Sequence, residues 1–298
     1  MITTEIYNGQ GLGNQLHCYV TTRVVALDKG LLFGIMNPHK FKCLDFMDLD
    51  FGLPVAGGSG PEGGPPTSLP DGISHYLREK EAPILNGRSD IRLDDPNLDS
   101  IEDGTKIDGC FQSESRIFHR KEEIKEWLKV KPEKDCYDYA SDDICILNFR
   151  GGDYAWQQDF FLHPNYWINA INRMYAINPK FRFIVITDDV PLASRFFPMF
   201  EVLHFDIAKD FTIIKNAHYL ILSNSSFAFF PTFISERNKY ILAPKYWGRH
   251  NISDGYWHCG YNIYRSFNYI DRENNLFTFE QCDIEFKEYL QKNKHLLQ

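Results

Sequence analysis

The feature that most constrains this chain is a regular alternation of short apolar runs and amphipathic segments between residues 144 and 243. Ile144–Asn148, Phe181–Thr187, Val202–His204, Tyr219–Ser223 and Tyr240–Ala243 read as strands. Asn165–Asn178, Pro191–Phe197, Ala208–Asn216 and Phe227–Glu236 read as the helices between them. Such strands are apolar on both sides because helices cover both sheet faces, so the pattern predicts a parallel sheet in an α/β unit.

A second, smaller version opens the chain. Ile2–Tyr7 reads as a strand, Asn8 to Asn14 as a glycine-bearing turn, Leu16–Lys29 as a helix and Leu31–Ile35 as the next strand. A short strand is expected before Gly109, and a charged helix over Arg120–Lys129. With 298 residues and 43% hydrophobic content the chain can bury two cores, since single cores stop growing near ~250–300 residues. The expected division is 1–135, 136–275 and a terminal helical segment 276–298. Residues 55–72, rich in Gly and Pro, are expected to form a loop.

The formal charge of −8 and the absence of a long basic block argue against a nucleic-acid footprint. One local cation still suffices for a phosphorylated ligand. Seven cysteines are scattered without C-x-x-C pairs or metal-ligand spacing and read as reduced thiols. No stretch approaches the ~18 apolar residues of a membrane span. A cytoplasmic location is expected, with peripheral membrane association left open. The sequons at Asn224 and Asn251 then read as chance matches.

Three segments fall where open α/β sheets place ligands, at the carboxyl ends of strands. Asn148-Phe149-Arg150-Gly151-Gly152-Asp153 offers a forked cation beside glycines that let a ligand approach. On spacing alone, Arg150 suits a phosphate and an ion pair with Asp153 equally. Ser223-Asn224-Ser225-Ser226-Phe227 joins a strand to a helix, so hydroxyls and the first helical N–H groups suit an anion, or Ser225 or Ser226 simply caps the helix. Asp188 and Asp189 end a strand and suit a base or ribose, or capping. Asp48-Leu49-Asp50 has a metal-site form but sits in an aromatic-rich stretch and reads as chance, so no metal residue is assigned. Trp156, Trp247 and Trp257 suit sugar stacking or, more commonly, a core.

Taken in order, Gly11-Leu12-Gly13-Asn14-Gln15-Leu16, Gly109-Cys110-Phe111-Gln112-Ser113, Phe149 to Tyr154, Ile186-Thr187-Asp188-Asp189 and Ile221 to Phe227 resemble the α-1,2-fucosyltransferases of glycosyltransferase family eleven. Asn165-Tyr166-Trp167 and Ala243-Pro244-Lys245-Tyr246-Trp247 extend the likeness. The resemblance implies a GT-B-like α/β fold: two Rossmann-like domains facing a central cleft, with GDP-fucose on the C-terminal one and a glycan acceptor on the N-terminal one. It implies inverting transfer without a metal or other cofactor.

Carried across, Arg150 matches the arginine on the donor pyrophosphate, with Asn148 beside it; Ser225, Ser226 and the Phe227 amide match the phosphate turn. Gly13, Asn14 and Gln15 match a cleft segment. Asp159, four residues before His163-Pro164, stands at the offset where related core α-1,6-fucosyltransferases carry a Glu, which makes it the candidate base, with Asp153 grouped beside Arg150. Its plainer reading is a solvated loop carboxylate. The chain departs from the family's His-x-Arg-Arg-x-Asp: Asn148 replaces the His and Gly151 the second Arg. It also has Ala228-Phe229-Phe230-Pro231 where Ser-Trp-Trp-Gly is typical. A lost charge-assisted contact costs about 1.5–3 kcal/mol, enough to mark a different donor sugar.

Overall fold

A computed structural model describes residues 1–55, 69–80, 94–253, 255–256 and 261–296. The glycine-rich stretch around residues 56–68, Trp257 and Cys259 lie outside the described residues. The chain divides into two compact units, the change falling between Lys131 and Pro132. Each is an α/β unit built on a parallel sheet.

The first unit holds β1 (Ile2–Glu5), α1 (Leu12–Asp28), β2 (Phe33–Met36), β3 (His75–Arg78), β4 (Thr105–Asp108), α2 (Glu114–Ile117) and α3 (Lys121–Trp127). Its sheet runs β2-β1-β4-β3, every pair parallel. Helix α1 starts at Leu12, a turn earlier than the pattern suggests, and is buried around most of its circumference. Gln15, His17, Thr21 and Thr22 are all at 1% exposure or less. Burial pushes the His17 imidazole down to about 3, so the ring is neutral at pH 7.

A buried ionic network crosses this sheet. Lys106 Nζ donates to Glu5 Oε2 at 2.8 Å and to the Tyr7 hydroxyl at 3.1 Å, and lies 3.3 Å from Asp108 Oδ2. The Tyr7 hydroxyl donates to both Asp108 oxygens at 3.0 Å. Burial raises the Tyr7 and Asp108 pKa values, with neighbouring carboxylates adding to the first and Lys106 opposing the second.

The second unit holds β5 (Ile144–Phe149), α4 (Pro164–Ile177), β6 (Arg182–Thr187), α5 (Val190–Phe196), β7 (Glu201–Leu203), α6 (Ile207–Asn216), β8 (Tyr219–Leu222), α7 (Phe229–Phe233), β9 (Tyr240–Pro244), β10 (Asn268–Ile270), β11 (Leu276–Phe277) and α8 (Phe279–Lys292). The sheet order is β11-β10-β9-β8-β5-β6-β7, parallel except for β11. Every residue of β5 is buried. Cys145, Leu147 and Phe149 enter a core with Trp167, Met174 and Phe183, and strand alternation sends Ile144, Ile146 and Asn148 to the opposite face. Phe149 meets the rings of Trp167, Phe196 and Phe197 at 5.3–5.4 Å.

The expected helix over Phe227–Glu236 is instead a 3-10 turn, Ser226–Ala228, followed by the five residues of α7. The chain leaves it early because the Ser235 hydroxyl donates to the Lys215 carbonyl at 2.6 Å and the Asn238 amide to the Ala217 carbonyl at 2.6 Å. Helix α8 starts at a Thr278–Gln281 capping box. It is fastened by Lys245, whose ammonium is 4% exposed, lies 2.7 Å from Glu285 and sits 3.3 Å from the centre of the Phe277 ring.

Candidate functional site

In the second unit the parallel strands, read from β7 to β10, run in the order third, second, first, fourth, fifth, sixth. That order reverses between β5 and β8, the position at which doubly wound sheets open a ligand crevice. Asn148 pairs in register with Leu222 there, and the Ser223 N–H donates to the Asn148 carbonyl at 3.0 Å. The Arg150 loop and the Ser225–Ser226 turn therefore leave adjacent strands within two or three residues of a shared hydrogen bond.

Arg150 is 35% exposed at the side chain. Its Nη2 donates to Asp153 Oδ1 at 2.6 Å and its Nη1 lies 2.5 Å from Asp188 Oδ2, while the guanidinium stands 5.3 Å from the Tyr154 ring centre. Both carboxylates lie on its own loop or on the β6 side, so the cation leans away from β8. Of the two readings left level by spacing, the structure shows the ion pair with Asp153, and adds Asp188 as a second partner.

Asp188 and Asp189 are occupied. Asp188 Oδ1 accepts the Gly151 N–H at 2.9 Å, and Asp189 Oδ1 accepts the Leu192 N–H at 3.0 Å as the cap of α5. This changes the meaning of the two glycines. A methyl group on Gly151 would lie 2.6 Å from Asp189 Cβ, and one on Gly152, at φ +37, only 2.4 Å from Asp188 Oδ2. The bare backbone makes room for these aspartates.

Ser225 caps its short turn through a long 3.4 Å contact from the Phe227 N–H. A turn this short carries little helix dipole, so an anion there would rely on hydroxyls and individual N–H groups. Asn148, which belongs to the expected set, is joined at this rim by two residues outside it, Ser223 and Asn224. The Ser223 hydroxyl and Asn148 Oδ1 are buried without a hydrogen-bond partner among the described residues, their residues 5% and 8% exposed. A lone polar residue ending each apolar strand is the signal that marks them. Asn224, 2% exposed, donates to the Phe160 carbonyl at 3.0 Å and the Trp247 carbonyl at 2.5 Å, tying three loops together. Its burial leaves no room for a glycan.

Asp159 is a loop carboxylate with its side chain 46% exposed, as in the plainer reading, and is also paired. Its Oδ1 accepts from Arg249 Nη1 at 2.9 Å, and its carbonyl accepts the Arg249 N–H. Arg249 is 7% exposed and left-handed at φ 55, so the pair fixes the 249 loop. Trp156, by contrast, is 88% exposed.

In the first unit, Gln15 is a bracket: its amide donates to the Lys40 carbonyl at 2.9 Å and accepts the Lys42 N–H at 3.0 Å. Asn14 Oδ1 accepts from the Gln112 amide at 2.8 Å, and Gly13 is buried. Gln15 is 1% exposed, its amide used within the first unit. Asp48 pairs with Lys131 at 3.0 Å and Asp50 with Arg23 at 3.5 Å. Among the described residues, no three His, Cys, Asp or Glu side chains cluster as a metal site would require, and no helix is long and apolar enough to cross a membrane.

No family model matches the sequence, and no curated protein matches it. Among solved structures, the chain is similar to the fucosyltransferase NodZ from Bradyrhizobium, at 14% identity over 80% of this chain and 94% of that one, with a TM-score of 0.46. NodZ alpha-1,6-fucosyltransferase soaked with GDP-fucose gives 15% identity, 78% and 92% coverage and a TM-score of 0.43. POFUT1 in complex with GDP gives 8% identity, 81% and 97% coverage and a TM-score of 0.39. These solved structures are fucosyltransferases by name.

Proposed function

We propose that the chain is an inverting glycosyltransferase that works without a metal, moving L-fucose from GDP-fucose to a glycan hydroxyl, in the manner of the α-1,2-fucosyltransferases its motifs resemble. The observation that carries the reading is the reversal of strand order between β5 and β8, with Arg150 on one side and the Ser225–Ser226 turn on the other. As the acceptor hydroxyl attacks, charge builds on the departing diphosphate; a cation and fixed N–H donors there lower the barrier. In this reading Arg150 exchanges its aspartate partners for the diphosphate, Asp153 and Asp188 hold it ready, and Asn148 and Ser223 acquire partners from the bound nucleotide. Asp159 is the general base of the proposal, fixed by Arg249; a pH–rate profile unchanged in Asp159→Asn removes it from the mechanism.

Calorimetric titration with GDP, UDP and their fucosyl and hexosyl derivatives tests the reading. GDP binds, and Arg150→Ala weakens it by about 1.5–3 kcal/mol, the worth of a charge-assisted bond. Donor-dependent transfer survives chelators and stops in that variant. UDP preference redirects the donor, and binding without turnover in the presence of mixed oligosaccharides reduces the protein to a nucleotide-sugar binder. Equal GDP affinity in wild type and Arg150→Ala overturns the site.

A further inference from the structure

A tryptophan ring brings about 150–250 Å² of surface that a fold gains by covering. Trp167 lies in the core of the second unit, Trp127 has the Arg23 guanidinium 4.2 Å from its ring centre, and Trp247 is partly buried. Trp156 departs from this pattern, with 88% of its surface open to water.

Its backbone is nevertheless tightly bonded. Trp156 closes a 3-10 turn, Gly152–Trp156, that begins two residues after Arg150. The Gly151 carbonyl accepts the Tyr154 and Ala155 N–H groups at 2.9 and 3.1 Å, and the Tyr154 carbonyl accepts that of Gln157 at 2.9 Å. The Gln157 carbonyl in turn accepts the Phe160 and Phe161 N–H groups, both at 2.9 Å. The neighbouring Tyr154 ring is engaged, 5.2 Å from Phe160 and 5.3 Å from the Arg150 guanidinium. The turn therefore presents one open aromatic face on a fixed frame, and little ordering is lost when a ligand covers it. Gln157 and Gln158, both exposed, add amide donors and acceptors beside it.

We infer that Trp156 is the stacking platform for a pyranose ring of an uncharged glycan, the acceptor of the transfer proposed above; the inference rests on that reading. With the diphosphate at Arg150, the attacking hydroxyl must come within about 3–3.5 Å of the sugar carbon it attacks. The acceptor is thus delivered to the rim that the Arg150 loop forms. An aromatic face flanked by amides matches the C–H face and the hydroxyls of a sugar ring. Charge narrows the class further. Asp153 and Asp159 stand three residues to either side of Trp156, their side chains 61% and 46% exposed. Transfer of Arg150 to the diphosphate leaves Asp153 an unpaired carboxylate, which disfavours an anionic glycan.

Saturation-transfer NMR and calorimetry on the full chain test this, with lactose, maltotriose, chitotriose and mannotriose as neutral probes and trigalacturonate as the anionic one. At least one neutral probe receives saturation from the protein. Trp156→Ala raises its dissociation constant about tenfold or more, and Trp156→Phe recovers most of the loss. The melting temperature and the affinity for GDP are the same in wild type and both variants, since the ring supports no core and the diphosphate contacts lie elsewhere. In transfer assays with GDP-fucose, Trp156→Ala raises the acceptor KM and leaves kcat in place. No saturation of any neutral probe, undiminished binding in Trp156→Ala, an equal loss of GDP affinity in that variant, as stacking on the base would give, or preference for trigalacturonate overturns the inference. Sugar binding that depends on Trp156 in a chain that binds no GDP overturns the transfer reading and supports the platform. Transfer from GDP-fucose with an acceptor KM indifferent to Trp156 does the reverse.

Discussion

The two units carry their charges in opposite ways. In the first, Lys106, Glu5 and Asp108 lie within the sheet at 3%, 17% and 8% side-chain exposure, and Tyr7 closes the network. In the second, the central strand is apolar up to Asn148, and the charges wait at its carboxyl end, where Arg150 and Asp153 are 35% and 61% exposed. A buried, satisfied network is expensive to open, because removing one partner leaves an uncompensated charge. An ion pair at the surface is worth about 0–1 kcal/mol and is readily exchanged. The contrast separates a cluster that holds a fold from one that can release its cation to a ligand.

The largest test of that contrast is Lys106→Ala, expected to destabilise the first unit by about 3–5 kcal/mol in urea titrations. Lys106→Met, which keeps the stem, costs less only if Glu5 and Asp108 can take up protons. Gly151→Ala and Gly152→Ala come next, at about 1–3 kcal/mol of overpacking against Asp189 and Asp188, with nucleotide binding lost alongside. Third is pH. His17 and His250, one in each unit, have depressed folded-state values of about 3 and 4. Below the ordinary value of 6.5 the unfolded chain takes up protons that the native rings refuse. Stability therefore falls as pH drops from 6.5 towards 4, by on the order of a few kcal/mol, and His250→Phe makes the slope shallower. The smallest effect is Arg150→Ala on folding: under about 1 kcal/mol, against a large loss of nucleotide binding. A destabilisation like that of Lys106→Ala would erase the distinction between the units.

Much of this was written locally in the sequence. The unbroken apolar runs Ile144 to Leu147 and Phe183 to Ile186 could only be buried strands, and periodicity placed the helices between them. Strand β3, His75-Tyr76-Leu77-Arg78, gave no such signal because it is a half-exposed edge strand ordered by its pairing with β4. The residues of the rim between β5 and β8 were legible as strand-end polar clusters. Their partners were not: the choice of Asp188 by Arg150, or of Arg249 by Asp159, joins residues far apart in the chain and depends on packing.

The fastening of Lys245 couples two stretches of the second unit. Its ammonium lies against Phe277 and is neutralised by Glu285 of α8. Until α8 docks, the residue that follows β9 carries into the unit a cation without its counter-ion, so the closing of the sheet edge and the seating of the helix are one event, and a change at Glu285 would be felt at β9.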